Sequence, residues 1–60
     1  MPLSGKDMLA LYLKNGWHKI SQKGSHVKVG KGKMREIIPM HQELKKGTES
    51  ALLKRLEEDK

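Results

Sequence analysis

Two rhythms of apolar residues divide the chain. Leu3, Met8, Leu9, Leu11, Tyr12 and Leu13 fall at helical spacing and make a broad stripe. Ser4 stands before them as an N-cap, and Asp7, three residues on, can complete a capping box and suits the positive end of a helix. Leu3 and Met8 have the spacing of a hydrophobic staple, and Asn15-Gly16 supplies a stop, since Gly16 is free to take the left-handed conformation. A helix over residues 5 to 15 follows. Beyond Gly16 the period shortens to two. Trp17 to Gln22 reads as a strand and Lys23-Gly24-Ser25 as its turn. His26 to Gly30 alternates, with Val27 and Val29 on one face and His26 and Lys28 on the other. Gly30-Lys31-Gly32-Lys33 reads as a hairpin loop and Met34 to Met40 as a third strand, apolar on both faces near Ile37-Ile38, whose register the pattern leaves open. Pro39 ends ladder donation, and His41 to Gly47 is a polar connection. Thr48 is the expected N-cap of a second helix that buries Ala51, Leu52, Leu53 and Leu56.

The order α-β-β-β-α predicts one α+β domain over residues 1–60. Its three-stranded antiparallel sheet should carry two helices on one face. A chain of 60 residues buries only about 60% of the surface it exposes when unfolded. There is no cysteine to staple it, so support from a partner is expected. Met8 to Leu13 is far shorter than the ~20 residues of a membrane span, and no signal-peptide pattern precedes it; the expected location is cytoplasmic, with no membrane partner.

Charge sharpens this picture. The formal net charge is +6, yet Glu57, Glu58 and Asp59 hold three of the seven acids, so residues 1 to 56 carry twelve basic and four acidic groups, a balance of +8. From Lys14 to Arg35 there are seven Lys or Arg, two histidines and no acid. Such self-repulsion makes sense with a polyanionic partner, above all a phosphodiester backbone.

Within that segment His26 is the candidate catalytic group. Imidazole, with an unperturbed pKa of about 6.5, can take or give a proton near neutrality. Gly24 and Ser25 let the backbone approach a ligand, and Lys28 shares the face of His26. RNA brings its own nucleophile, the 2′-hydroxyl, so a base and a cationic stabiliser can suffice without metal. His26 would act as general base on that hydroxyl or as general acid on the leaving 5′-oxygen, with Lys23 and Lys28 stabilising the phosphorane and Ser25 beside them in RNA binding. Lys45-Lys46 before a helix N-terminus are badly placed for its dipole unless an anion sits between them; the alternative is a solvated loop. Three histidines without nearby carboxylates make a poor metal cage, and no cofactor is expected. His18 and His41 read as surface or loop residues. Trp17 and Tyr12, the only aromatics, stand at core positions, so recognition should rest on backbone charge and shape rather than base stacking.

Asn15-Gly16-Trp17, Gln22-Lys23-Gly24-Ser25-His26, Ile38-Pro39-Met40-His41 and Glu43-Leu44-Lys45-Lys46-Gly47-Thr48 leading into Leu52-Leu53, in this order, resemble the HicA toxin family of bacterial type II toxin–antitoxin pairs. The resemblance covers nearly the whole chain. It implies a double-stranded-RNA-binding-domain-like α-β-β-β-α fold, mRNA endonuclease activity that arrests translation, a catalytic histidine at His26 and neutralisation by a HicB antitoxin. His41 matches the family's Pro-x-His position, and the acidic ending Glu57-Glu58-Asp59 has no counterpart in the motifs. Two other classes share the charge and fold: an RNA-binding module without catalysis, and an interaction protein whose basic face docks an acidic partner.

Overall fold

The first helix is fixed at both ends by its own sequence. In the computed structural model, which describes residues 2–58, α1 spans Gly5–Lys14, and the Ser4 hydroxyl accepts the Asp7 N–H at 3.0 Å. At the other end Gly16 takes φ +90°, the Trp17 N–H donates to the Tyr12 carbonyl at 3.0 Å, and the Gly16 N–H donates to Leu13 at 3.3 Å. This is a Schellman closure, and the apolar contact that accompanies such closures is here aromatic: the Tyr12 and Trp17 rings meet edge to face with centroids 4.9 Å apart. Lys31 donates to the Asn15 carbonyl at 2.9 Å, a cation at the negative end of the helix.

Three strands follow, β1 His18–Lys23, β2 His26–Lys31 and β3 Met34–Pro39, paired antiparallel in the order β1-β2-β3. Both connections are two-residue loops that begin with glycine, Gly24-Ser25 and Gly32-Lys33, each glycine at φ +58° and the next residue on the negative side. That is the combination of a type II′ turn, whose twist suits a hairpin. The first two strands therefore each end one residue later than the alternation predicted, Lys23 belonging to β1 and not to its turn and Lys31 to β2, while β1 begins at His18 rather than Trp17 and β3 ends at Pro39 rather than Met40. Arg35 braces the second loop by donating to the Gly32 and Met34 carbonyls at 2.8 and 2.7 Å.

The second helix, α2, spans Lys46–Glu58 and starts two residues before the expected cap at Thr48. The Lys45 carbonyl accepts the Glu49 N–H at 2.8 Å and so opens the helix. Tertiary ties set this start. Leu44 is buried and its N–H donates to the Leu3 carbonyl at 2.9 Å, while Glu49 accepts the Leu3 N–H through its carboxylate. Met1, Asp59 and Lys60 lie outside the described residues, so the acidic ending is described only as far as Glu58.

Both helices pack on one face of the sheet, giving the α+β, double-stranded-RNA-binding-domain-like arrangement. Met8 and Tyr12 of α1, Trp17, Val27, Val29 and Ile38 of the sheet side, Leu44, and Leu52 and Leu56 of α2 form the core. The Tyr12 hydroxyl donates to the Leu52 carbonyl at 2.9 Å and joins the two helices. Each helix touches the sheet along a narrow line, so its buried apolar side chains stand four residues apart, Met8 and Tyr12 on α1 and Leu52 and Leu56 on α2. Ala51 and Leu53, expected inside, are consequently exposed, as is Leu13. On the same face Glu36 pairs with Arg55 of α2 at 2.6 Å, and this hydrogen bond together with the carboxylate's charge raises the Arg55 guanidinium above its ordinary value. Among the described residues no helix is long and apolar enough to cross a membrane.

Candidate active site

With the helices on one side, the other face of the sheet is open. Val27 and Val29 point into the core, so alternation turns His26 and Lys28 outward. Register decides their neighbours. Lys23 lies opposite His26 on β1, Ser21 opposite Lys28, and on β3 Pro39 and Ile37 lie opposite the same two residues. Directly opposed residues share a face, with Cβ atoms about 4.5–5.5 Å apart in an antiparallel pair. A bulge between Lys19 and Ser21 shifts the register of β1. Without it Ser21 and Lys23 would fall to the other face.

The result is a shallow depression of about 500 Å³ lined by Ser21, Lys23, His26, Lys28 and Ile37. Of these five, two are cations, one is an imidazole and none is an acid. Both lysines and His26 are exposed. Such a surface can hold a phosphate beside a proton-transferring ring. Ile37 within it and Ile20 on the same face over Gly30 leave 46% and 43% of their surfaces in water, making the open face apolar between its charges.

A second imidazole stands beside this depression. The Met40 N–H donates to the Ser25 carbonyl, extending the β2–β3 ladder by one rung past Pro39, and His41 is thereby brought next to His26. Their ring centroids are 6.4 Å apart with planes at 72°. The His41 carbonyl accepts the Gly5 N–H at 2.9 Å, which ties the same point to the start of α1. Gly5 is required there: a Cβ on it would lie 1.9 Å from the Pro39 carbonyl oxygen and 2.7 Å from Met40 Cα. His41 lines its own depression with Ser4, Lys6, Met40 and Gln42.

The residues singled out in the sequence thus separate into groups. Lys23, His26 and Lys28 come together, whereas Ser25 stays in the exposed turn next to them, outside the lining of the depression, with its carbonyl accepting the Met40 N–H. Lys46 lies instead in a third depression with Pro2, Leu44 and Glu49, and Lys45 is exposed at the opening of α2. Lys46 is the first residue of α2 rather than part of the connection before it. Lys31 and Arg35, two of the seven cations in the basic run, brace a helix end and a turn. His18 pairs with Gly30, four residues along β2 from His26, or roughly 13 Å at the rise of a strand. Sequence reasoning passed over Ser21, Ile37 and Lys6; it read His41 as a surface or loop residue, which it is, but did not place it beside His26. A signal for His41 existed. Reading Gly32-Lys33 as a two-residue loop places Lys31 against Met34, and counting back along the ladder places His26 against Pro39.

Among the described residues no three His, Asp or Glu side chains are grouped so as to hold a metal ion. The family model described as HicA toxin of bacterial toxin–antitoxin matches residues 5–57, which takes in all three strands, all of α1 and α2 up to its last residue. Neither a curated protein nor a solved structure matches the chain.

Proposed function

The chain belongs to the HicA toxin family of bacterial toxin–antitoxin systems, and from that premise we propose that it is a cytoplasmic endoribonuclease that cleaves mRNA and is neutralised by a HicB-type antitoxin. The observation that carries this reading is His26 on the open sheet face between Lys23 and Lys28, in a depression without an acid. His26 transfers a proton as the RNA 2′-hydroxyl displaces the 5′-oxygen at the adjacent phosphorus, as base toward the hydroxyl or as acid toward the leaving oxygen, and the two lysines stabilise the charge that builds on the phosphorane oxygens. The substrate supplies the nucleophile. Purified protein should therefore cleave RNA undiminished in excess chelator and leave a 2′,3′-cyclic phosphate or its opened 3′-phosphate. RNA with a 2′-deoxyribose at the scissile position should resist. Loss of all activity in chelator would sink this mechanism.

Lys45 and Lys46 belong to binding in this scheme, at a distance from the chemistry. Replacing both with Gln should weaken RNA binding across sequences and flatten its salt slope by up to about two units, since each lost phosphate contact removes roughly one. An unchanged slope would mean that the two lysines are merely solvated.

The antitoxin is expected to present an acidic surface to the open face and to cover His26. Ile20 and Ile37 offer apolar area there, ringed by Lys23, Lys28 and Arg35, so a partner of opposite charge gains both contact and steering. Binding only the folded state, it should raise the stability of this small domain by about 2.7 kcal/mol at a hundredfold excess over Kd. Hydrogen exchange on the complex should show new protection along β1 and β2. Protection confined to α1 and α2 would make inhibition allosteric and refute occlusion.

A further inference from the structure

We propose that His41 carries the second proton of the cleavage reaction, so that His26 and His41 work as an acid/base pair. This inference rests on the ribonuclease reading and goes beyond it, since one histidine would satisfy that reading. Transesterification needs two proton movements on opposite sides of phosphorus. One imidazole takes the proton of the 2′-hydroxyl as the 2′-oxygen bonds to phosphorus. The P–O5′ bond breaks, and its electron pair takes a proton from the other, protonated imidazole. The products are a 2′,3′-cyclic phosphate and a 5′-hydroxyl, nothing else is consumed, and the pair resets by exchanging protons with solvent. A single ring beside the entering oxygen is poorly placed to reach the leaving one.

The geometry supplies a second ring in the required place. Both imidazoles are exposed, and their centroids lie 6.4 Å apart, which leaves room for a phosphoryl group to be approached from two sides. Their spacing does not depend on side-chain chance alone. The residues just before them, Ser25 and Met40, are joined by a backbone hydrogen bond, and the His41 carbonyl is held by Gly5. The charged side chains that line the depressions are Lys23 and Lys28 beside His26 and Lys6 beside His41, all cations that suit a phosphate held between the rings. Histidine is the side chain whose unperturbed pKa lets it serve as either acid or base near neutrality. Of the histidines, His18 stands at the far end of the sheet.

The test uses two substrates on the intact protein: ordinary RNA, and RNA whose scissile 5′-oxygen is replaced by sulfur. A thiolate leaves without being protonated, so the sulfur substrate spares the general acid alone. His41→Ala and His41→Asn should each lower cleavage of ordinary RNA by about 10²- to 10⁴-fold, with RNA affinity and melting temperature retained and His18→Ala at the wild-type rate. On the sulfur substrate one of the pair, His26→Ala or His41→Ala, should regain most of its rate while the other does not, and the rescued position is the acid. The bell-shaped pH profile of the wild type should lose one limb in each variant. A His41→Ala protein that cleaves ordinary RNA like wild type, or sulfur that rescues neither variant, would overturn the pair while leaving the ribonuclease reading in place. A wild type that binds RNA without cleaving it would remove both.

Discussion

Replacing His26 with alanine should lower RNA cleavage by about 10²- to 10⁴-fold, the usual cost of losing a general acid or base, and should abolish growth arrest when the chain is expressed without its antitoxin. The fold should be unaffected. His26 is exposed on the open face, opposite to the side that Val27 and Val29 bury, so truncating it opens no cavity. Surface changes of this kind usually stay within about 0.5 kcal/mol. Cleavage by purified protein and thermal melting, measured on the same preparation, separate loss of chemistry from loss of structure. A variant as toxic as wild type at equal expression would remove His26 from the mechanism.

Gly5→Ala should be damaging, although it replaces a glycine in a helix. Alanine ordinarily gains roughly 0.5–1 kcal/mol over glycine inside a helix. Here the added Cβ meets the Pro39 carbonyl oxygen at 1.9 Å, which is backbone and has no rotamer to give. Overpacking costs typically about 1–3 kcal/mol, so the clash outweighs the propensity. About 4–8 °C of melting temperature is lost per kcal/mol in a domain of this size. The relief open to the chain is to lift α1 from the end of β3, which stretches the Gly5–His41 hydrogen bond and moves the segment that carries His41. Gly5→Ala should therefore melt well below wild type. A melting temperature at or above the wild-type value would show that α1 can shift freely there.

The element types and most of the core were legible in the chain. Ser4 and Gly16 bracket α1 because capping is local chemistry, satisfied within a few residues. Val27 and Val29 announce a buried face because a strand's period of two is built into its backbone, and the same alternation sends His26 and Lys28 the other way. Charge was legible too, since the basic run needs no fold to be seen. What the chain could not state by itself is which residues meet. The bulge at Ile20 that returns Ser21 and Lys23 to the face of His26, the start of α2 at Lys46 under the ties from Leu3, and the exposure of Ala51 and Leu53 all depend on partners distant in sequence. The site follows the same division. His26 could be singled out as a candidate from its neighbours along the chain, whereas His41, fifteen residues away, comes beside it only because the β2–β3 register and the Gly5 contact close the sheet's end. Local propensities are settled by nearby backbone and side-chain atoms, but register and packing are settled by the whole core at once.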